Sequence, residues 1–452
     1  MRNFINSIIF LIIIFIVACN PDTSDAIDVT DTPDTNIPKD STVLPNILLI
    51  IADDMGVDAS PSFAMDLGAQ KPYMPILSSL ISDGISFDNA WSYATCSPTR
   101  ASILTGKHGM HTQILTPIKG FLSGTHTSLQ SYIGTQTENA YACGVFGKWH
   151  LGNEATHPTQ TMNVGTYTGN LGGGVPDYWQ YKFIENELES TVSEYATTRY
   201  TQAAIDWKSE QTKPWFLWLA YNAAHTPFHK PDNAQLYENS GSRALPAYEE
   251  GVSEPLPYYL AMLEAMDFEM GRLLDSMTNA ERENTVVIFI GDNGSPKKVS
   301  QWGGNKHSKG SISQGGVNVP LVVSGNKIRN GVRSDALVQS SDLFATIAEL
   351  AGVPTTNYYN SHSFKPTIVG ELSTPRNFLY VEVPGNTDNG SYAVRNQDFK
   401  LIHEIDTGIE QLYNLSTDPR ERTNLLSVNH DLTLFEIQNL TALRAEALRL
   451  RH

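Results

Sequence analysis

Cysteine is scarce. Only Cys19, Cys96 and Cys143 occur in 452 residues, too few for a disulfide framework in a chain this long, so each needs its own explanation. Positive charge is short as well: 31 Lys and Arg face 48 Asp and Glu, a formal net charge of -17. That excludes a nucleic-acid binder, because phosphate contacts need a basic face. Any anionic ligand must find locally clustered cations. No internal repeat of fixed period is present, and the glycine run Gly172-Gly173-Gly174 has no Gly-Lys-Ser/Thr after it, which excludes a phosphate-binding P-loop there. What remains is a globular composition, 40% hydrophobic and 17% charged, long enough for two or three domains or one large α/β unit.

The first 43 residues differ from the rest. Arg2, the apolar run Ile8 to Val17, and small Ala18 before Cys19 read as an export signal, too short to span a membrane comfortably. Because the segment ends on a cysteine, residues 1–19 resemble a bacterial lipoprotein signal, in which Cys19 is lipidated and holds the mature protein to a membrane outside the cytoplasm. An uncleaved anchor helix with an incidental Cys19 is the alternative. Asn20 to Val43 carries Asp22, Asp25, Asp28, Asp31, Asp34 and Asp40 and no aromatic residue; it cannot bury enough to fold and reads as a flexible acidic tether.

From Asn46 the pattern becomes that of a folded enzyme. Asn46 to Ala52, Trp215 to Ala220 and Thr285 to Ile290 are continuous apolar runs of strand length, as expected for parallel strands buried on both faces. Each runs directly into polar residues: Asp53-Asp54, Asn222 to His225, and Asp292-Asn293. Helical periodicity marks Tyr258 to Met277 and Leu343 to Leu350, the latter opened by the capping candidates Ser341 and Asp342 and closed by Gly352 and Pro354. Alternation of strands and helices predicts an α/β sheet, whose ligands sit at the carboxyl ends of the strands. Residues 44–355 form the expected main domain. Residues 356–452 form a smaller C-terminal subdomain, with strands near Phe378 to Val381 and Lys400 to Ile402 and an amphipathic helix around Leu432 to Leu450.

Asp53, Asp54, Asp292 and Asn293 are hard oxygen donors suited to Ca²⁺ or Mg²⁺ rather than to a thiolate-loving metal, although strand-end aspartates also serve as helix caps or solvated turns. The segment Cys96-Ser97-Pro98-Thr99-Arg100 followed by Thr105-Gly106 resembles the sulfatase signature, in which a maturation enzyme oxidises the cysteine to formylglycine. The resemblance extends along residues 44 to 430. Gly147-Lys148-Trp149-His150-Leu151-Gly152, His225-Thr226-Pro227, Lys309-Gly310 before Gly315-Gly316, and Leu412-Tyr413-Asn414-Leu415 with Asp418-Pro419 all match motifs of that family.

The resemblance implies an alkaline-phosphatase-like fold, a large mixed sheet flanked by helices with a smaller α+β C-terminal unit. It implies a sulfuric ester hydrolase with one Ca²⁺ held by Asp53, Asp54, Asp292, Asn293 and the modified Cys96. Arg100, Lys148 and Lys309 would stabilise the transferring group, His225 and Lys309 would serve the leaving alcohol, and His150 the formylglycine hydroxyl. The implied partners are a formylglycine-generating enzyme and a sulfated oligosaccharide or polysaccharide. A phosphate or phosphonate ester hydrolase of the same superfamily, or a catalytically silent glycan-binding lipoprotein, are the competing classes.

Two departures stand out: Gln314 and Asn318 replace the Glu and Arg more usual in the family. The segment Gly165 to Tyr181 lacks the family pattern and reads as a variable loop near the substrate. Cys143, Trp215 and Trp218 are expected in the core, and His229 and His307 in solvated loops.

Overall fold

Strand β1 shows how the sheet is held. In Asn46–Ala52 all seven residues are buried; Ile47, Leu49 and Ile51 face one hydrophobic core and Leu48 and Ile50 another. Successive side chains point to opposite faces of a strand, so a run that is apolar at every position demands cover on both sides. The computed structural model describes residues 43–61, 68–117, 121–153, 156–303, 306–384, 390–427 and 429–451. The signal, Cys19 and nearly all of the acidic tether lie outside them. Leu44–His452 form one compact unit.

The further strands of the large sheet are β2 (Gly84–Trp91), β3 (Ala142–Lys148), β4 (Thr166–Asn170), β5 (Tyr181–Glu185), β6 (Leu188–Val192), β7 (Trp215–Ala220), β8 (Thr285–Gly291), β9 (Leu321–Gly325) and β10 (Val332–Gln339). They lie in the order β10-β2-β9-β8-β1-β7-β3-β4-β5-β6. β8, β1, β7 and β3 are mutually parallel neighbours, whereas β9 pairs antiparallel with both β8 and β2. The sheet is therefore large and mixed. Helices α1 (Pro75–Ser82), α2 (Cys96–Thr105), α3 (Leu129–Gln136), α4 (Ala196–Ser209), α5 (Leu256–Asp275) and α6 (Asp342–Leu350) cover it. Ile103, Leu104, Leu129, Ile133, Phe344 and Ile347 place α2, α3 and α6 on one face. Leu77, Leu80, Tyr200, Met266 and Leu273 place α1, α4 and α5 on the other.

Cys143 is half-buried against the first of these cores, and Trp215 and Trp218 are fully packed within the sheet layers. The expected cap of α6 is only half present. Ser341 precedes the helix, but its hydroxyl is buried with no partner among the described residues. Asp342 instead accepts from the backbone N–H groups of Gln339 and His362, each at 2.8 Å, and pairs with Arg376. Gly352, at φ 85°, closes the helix in the left-handed region that favours glycine.

A second, antiparallel sheet follows: β11 (Leu379–Val383), β12 (Ser391–Arg395), β13 (Phe399–Glu404) and β14 (Glu410–Asn414), in sequential order. Helix α7 (Leu434–Arg451) packs Leu440, Leu443 and Ala447 onto Phe399, Leu401 and Leu412. Leu379, Val381 and Ala393 meet Trp91, Tyr93 and Val317 of the large-sheet layer. The connecting stretch belongs to the main body, because Phe364 and Ile368 lie in the core beneath the large sheet.

Candidate active site

The four parallel strands at the centre deliver their polar ends to one place. β8 leads into Asp292-Asn293, β1 into Asp53-Asp54, β7 into the stretch from Asn222 to His225, and β3 ends on Lys148, two residues before His150. Helix α2 begins at Cys96, so its first residue faces these ends, with Arg100 one turn further along the same side. Donor atoms of Asp53, Cys96 and Asp292 all lie within 4.8 Å of one another. The backbone N–H of Asp54 donates to Asp292 Oδ1 at 3.0 Å, and Asn293 Nδ2 donates to Asp54 Oδ1 at 2.8 Å.

Charge is matched pair by pair. Lys148 Nζ sits 2.5 Å from Asp53 Oδ2, Lys309 Nζ 2.5 Å from Asp54 Oδ1, and Arg100 Nη2 2.8 Å from Asp292 Oδ2. Arg100 also donates to the Lys148 carbonyl at 3.0 Å. Burial pushes the Asp53 carboxyl well above its usual range, reinforced by Asp292 and only partly opposed by Lys148. Burial acts the same way on Asp54, but Lys309, His225 and Lys148 outweigh it and hold that carboxyl well below the usual range. Lys309 would be depressed by burial, yet Asp54 and Asp53 raise it above the ordinary lysine value.

Two buried oxygens are left over: among the described residues, Asp53 Oδ1 and Asn293 Oδ1 have no hydrogen-bond partner. An unsatisfied buried oxygen costs about 1–3 kcal/mol, and more on a carboxylate. Two such atoms in one cluster of oxygen donors fit a hard divalent cation, which needs oxygen ligands and no proton. Three carboxylates facing three cations leave the cluster near neutrality, and a divalent ion would give it the positive charge that an anionic ester group requires.

Burial bears on both histidines. Burial, with Lys148, Arg100 and Lys309 nearby, lowers His150 to about 2, and burial raises the Cys96 thiol. The 3.1 Å contact between Cys96 Sγ and His150 Nδ1 thus joins a thiol to an uncharged imidazole. His150 holds φ at 57°, a strained backbone for a residue with a side chain; its carbonyl accepts from Ser97 Oγ at 2.9 Å and its N–H donates to Leu171 O at 3.1 Å. His225 is lowered by burial, and its Nδ1 lies 2.8 Å from the Thr226 carbonyl. A carbonyl can only accept, so Nδ1 carries the proton and Nε2 is left to exchange one.

The glycine run turns out to be the back wall of both rings. A Cβ on Gly173 would stand 2.3 Å from Cε1 and Nε2 of His150, and one on Gly174 would stand 3.2 Å from the His225 ring. Asn170 Nδ2 ties the loop down by donating to the carbonyls of Gly172 and Gly174 at 3.2 and 3.3 Å. Tyr200 Oη lies 3.0 Å from Asn170 Oδ1 and 2.9 Å from Asn222 Oδ1, linking this loop to the end of β7. Tyr178 Oη reaches the carbonyls of Asn222 and His225 at 2.7 and 2.8 Å. Tyr259 Oη reaches that of Asp54 at 2.9 Å. These tyrosines and Asn170 were not foreseen, because lone aromatic residues in helices and loops carry no motif; only Asn222, in the polar stretch after β7, had a sequence signal.

The two unassigned histidines are not in solvated loops. His229 is buried, its Nε2 accepting from Tyr195 Oη and its Nδ1 donating to Pro227 O, each at 3.0 Å. His307 is half-buried, stacked on Trp302 and 3.5 Å from Glu421. The rings around His229 come from a distant segment, Tyr178, Trp179 and Tyr195, whereas His307 is held by the nearby Trp302 and by Glu421 from the C-terminal part of the chain. Gln314 and Asn318 are buried supports. Trp91 Nε1 donates to Gln314 Oε1 at 2.9 Å, Glu421 accepts from the Gln314 N–H at 2.7 Å and pairs with Lys400, and Asn318 Nδ2 donates to Asp88 O at 3.1 Å.

The chain is similar to the sulfatase of Formosa agariphila (24% identity, covering 86% of each protein) and to the N-acetylglucosamine-6-O-sulfatase of Bacteroides thetaiotaomicron (24%, covering 86% of this chain and 84% of that one). Its fold is similar to that of a protein solved with its substrate D-glucosamine-2-N,6-O-disulfate, at a TM-score of 0.73 and 18% identity over 90% of this chain and 98% of that chain. A protein solved with k-i-k-neocarrahexaose matches at a TM-score of 0.71 and 24% identity, over 90% and 92%. Residues 307–446 match the family described as N-sulphoglucosamine sulphohydrolase, C-terminal. With residues 45–353 matching the Sulfatase family and every strand-end donor of that signature gathered around Cys96, the chain belongs to the sulfatases.

Proposed function

We propose that this sulfatase removes sulfate from a carbohydrate ester, using formylglycine at position 96 and one Ca²⁺ held by Asp53, Asp54, Asp292, Asn293 and the modified residue. The observation that carries this reading is the pair of buried oxygens without a partner among the described residues, Asp53 Oδ1 and Asn293 Oδ1, beside Cys96 and three cations. The ion would neutralise sulfate oxygens and lower the pKa of a formylglycine hydroxyl, whose twin hydroxyl carries the proton that expels sulfate. The residues of the chain divide the remaining work. Arg100, Lys148 and Lys309 supply charge where the transferring oxygens gain it. His225, with Nδ1 donating to the Thr226 carbonyl, would deliver a second proton, carried on Nε2 of the imidazolium, to the leaving alcohol, and His150 would take the proton on the position-96 side.

The saccharide class is supported by the relatives and solved neighbours, which act on or are solved with sulfated sugars. The export signal, with lipid attachment at Cys19, would place the enzyme outside the cytoplasm, where such glycans are met. Outside the N-terminal 43 residues the chain carries -13, since Arg2 and Lys39 offset six aspartates there. A polyanion would be repelled by most of the surface. The test is sulfate release from sulfated mono-, oligo- and polysaccharides beside matched phosphate esters, using protein co-expressed with a formylglycine-generating enzyme. Sulfate release from saccharides is expected; a preference for phosphate at every leaving group would overturn the assignment.

A further inference from the structure

An alcohol leaves from the side of the site that holds its proton donor, so the rest of a saccharide must extend along the surface next to His225. That surface is shaped. Tyr178, bonded to the His225 carbonyl, is followed in the chain by Trp179. The ring of His229 packs on Tyr178 and Trp179 at centroid separations of 4.3 and 5.0 Å. Beyond them opens a cleft of about 500 Å³, lined by Trp179, Lys230, Asp232, Asn233 and Tyr248 along with His229.

The lining has the chemistry of a sugar site. Trp179 and Tyr248 are half-buried and offer flat apolar faces, while Asp232 and Asn233 are exposed acceptors and donors. Lys230 Nζ donates to the Arg243 carbonyl at 3.1 Å and, among the described residues, has no carboxylate partner. Both nitrogens of His229 are committed within the protein, so that residue is wall and not ligand. The volume falls within the usual range for small-ligand clefts, and a few polar groups around aromatic faces suit an amphipathic ring better than a compact anion.

We infer that this cleft is a subsite for a second sugar residue, adjoining the one that bears the ester and stacked on Trp179, with Asp232, Asn233 and Lys230 bonding its hydroxyls. The inference rests on the proposed action on sulfated carbohydrate.

The test compares wild-type protein, Trp179→Ala and Trp179→Phe on a sulfated disaccharide series and on 4-nitrophenyl sulfate. Trp179→Ala should lose about tenfold in kcat/KM on disaccharides, mainly through KM, equivalent to about 1.4 kcal/mol. Trp179→Phe should recover much of that loss, and aryl sulfate turnover should stay near wild type. Equal losses on both substrate types, or none on either, would overturn the subsite. If the wild type cleaves 4-nitrophenyl sulfate but no saccharide, the carbohydrate reading fails instead. Fluorescence titration of wild-type and Trp179→Ala protein with desulfated disaccharides then decides the cleft by itself: a response confined to the wild type supports it, and identical responses refute it.

Discussion

Gly173→Ala isolates the geometry of His150 from its chemistry. None of Gly172, Gly173 and Gly174 has a left-handed φ, so alanine is acceptable to the backbone and the added methyl is the whole perturbation. At Gly173 that methyl would stand 2.3 Å from two atoms of the His150 ring, 1.1 Å short of the 3.4 Å at which ordinary contact begins. Either the loop, tied by Asn170, or the ring must give. If the ring moves by that amount away from the loop, its 3.1 Å contact with position 96 is disrupted. A displacement of about 1 Å in a reacting group costs on the order of 10²-fold in rate, while local overpacking costs about 1–3 kcal/mol of stability. Gly172→Ala, whose Cβ would meet nothing closer than 3.4 Å, is the control. The assay is 4-nitrophenyl sulfate turnover on protein whose modification state and melting temperature have been measured. Gly173→Ala should drop kcat by about two orders of magnitude with a modest loss in melting temperature, and Gly172→Ala should be near wild type. A folded, fully modified Gly173→Ala enzyme with kcat within about threefold of wild type would refute the reasoning.

Other expectations follow from the same site and its surroundings. Cys96→Ala, at a fully buried position, should keep the fold and abolish turnover, and peptide mass spectrometry of active protein should find formylglycine there; full activity with an intact thiol would contradict the proposed chemistry. Adding Ca²⁺ to chelated protein should restore activity and also raise the melting temperature, by the equivalent of about 2.7 kcal/mol at a hundredfold excess over Kd, whereas Asp53→Ala should show neither response. Burial lowers His229 from 6.5 to about 4, so the stability it contributes is fully present above pH 6.5 and is lost as pH falls toward 4, an effect of about 3 kcal/mol at most. The melting-temperature gap between wild type and His229→Phe should therefore narrow over that interval, and a constant gap would exclude the assignment. Cys19→Ala should move the protein from the membrane fraction to the soluble one, and retention would indicate an uncleaved anchor.

The central strands were readable because burial on both faces leaves no polar position to blur the pattern: β1 and β7 have the bounds their apolar runs predicted, and β8 runs one residue further. The strand-end aspartates were visible for the same reason, since the change from apolar to acidic is abrupt. Strand order was not readable, because the neighbours of β1 lie more than 160 residues away in sequence and nothing local names them. The supporting residues were hidden for a related cause. Tyr178, Tyr200 and Tyr259 act through single hydroxyls on backbone or amide groups brought up by other elements, and His229 owes its burial to rings from a distant segment. Gln314 and Asn318 were legible as departures from the family pattern, yet only the fold shows that they support Trp91 and the strand edge at Asp88.

The burial of Cys96 has a consequence in time. In the folded chain this side chain is 1% exposed, so no second protein can reach its sulfur. A late segment docks beside it, where Gly310 N–H donates to Ala94 O and Lys309 N–H to Ser295 O. That segment runs on to Gln314, which Glu421 anchors from the loop after the C-terminal sheet. During synthesis the cysteine emerges more than three hundred residues ahead of that anchor. The conversion proposed above would have to be finished in the interval before that late segment closes, and a variant that docks the segment faster would be expected to carry more unconverted thiol at position 96.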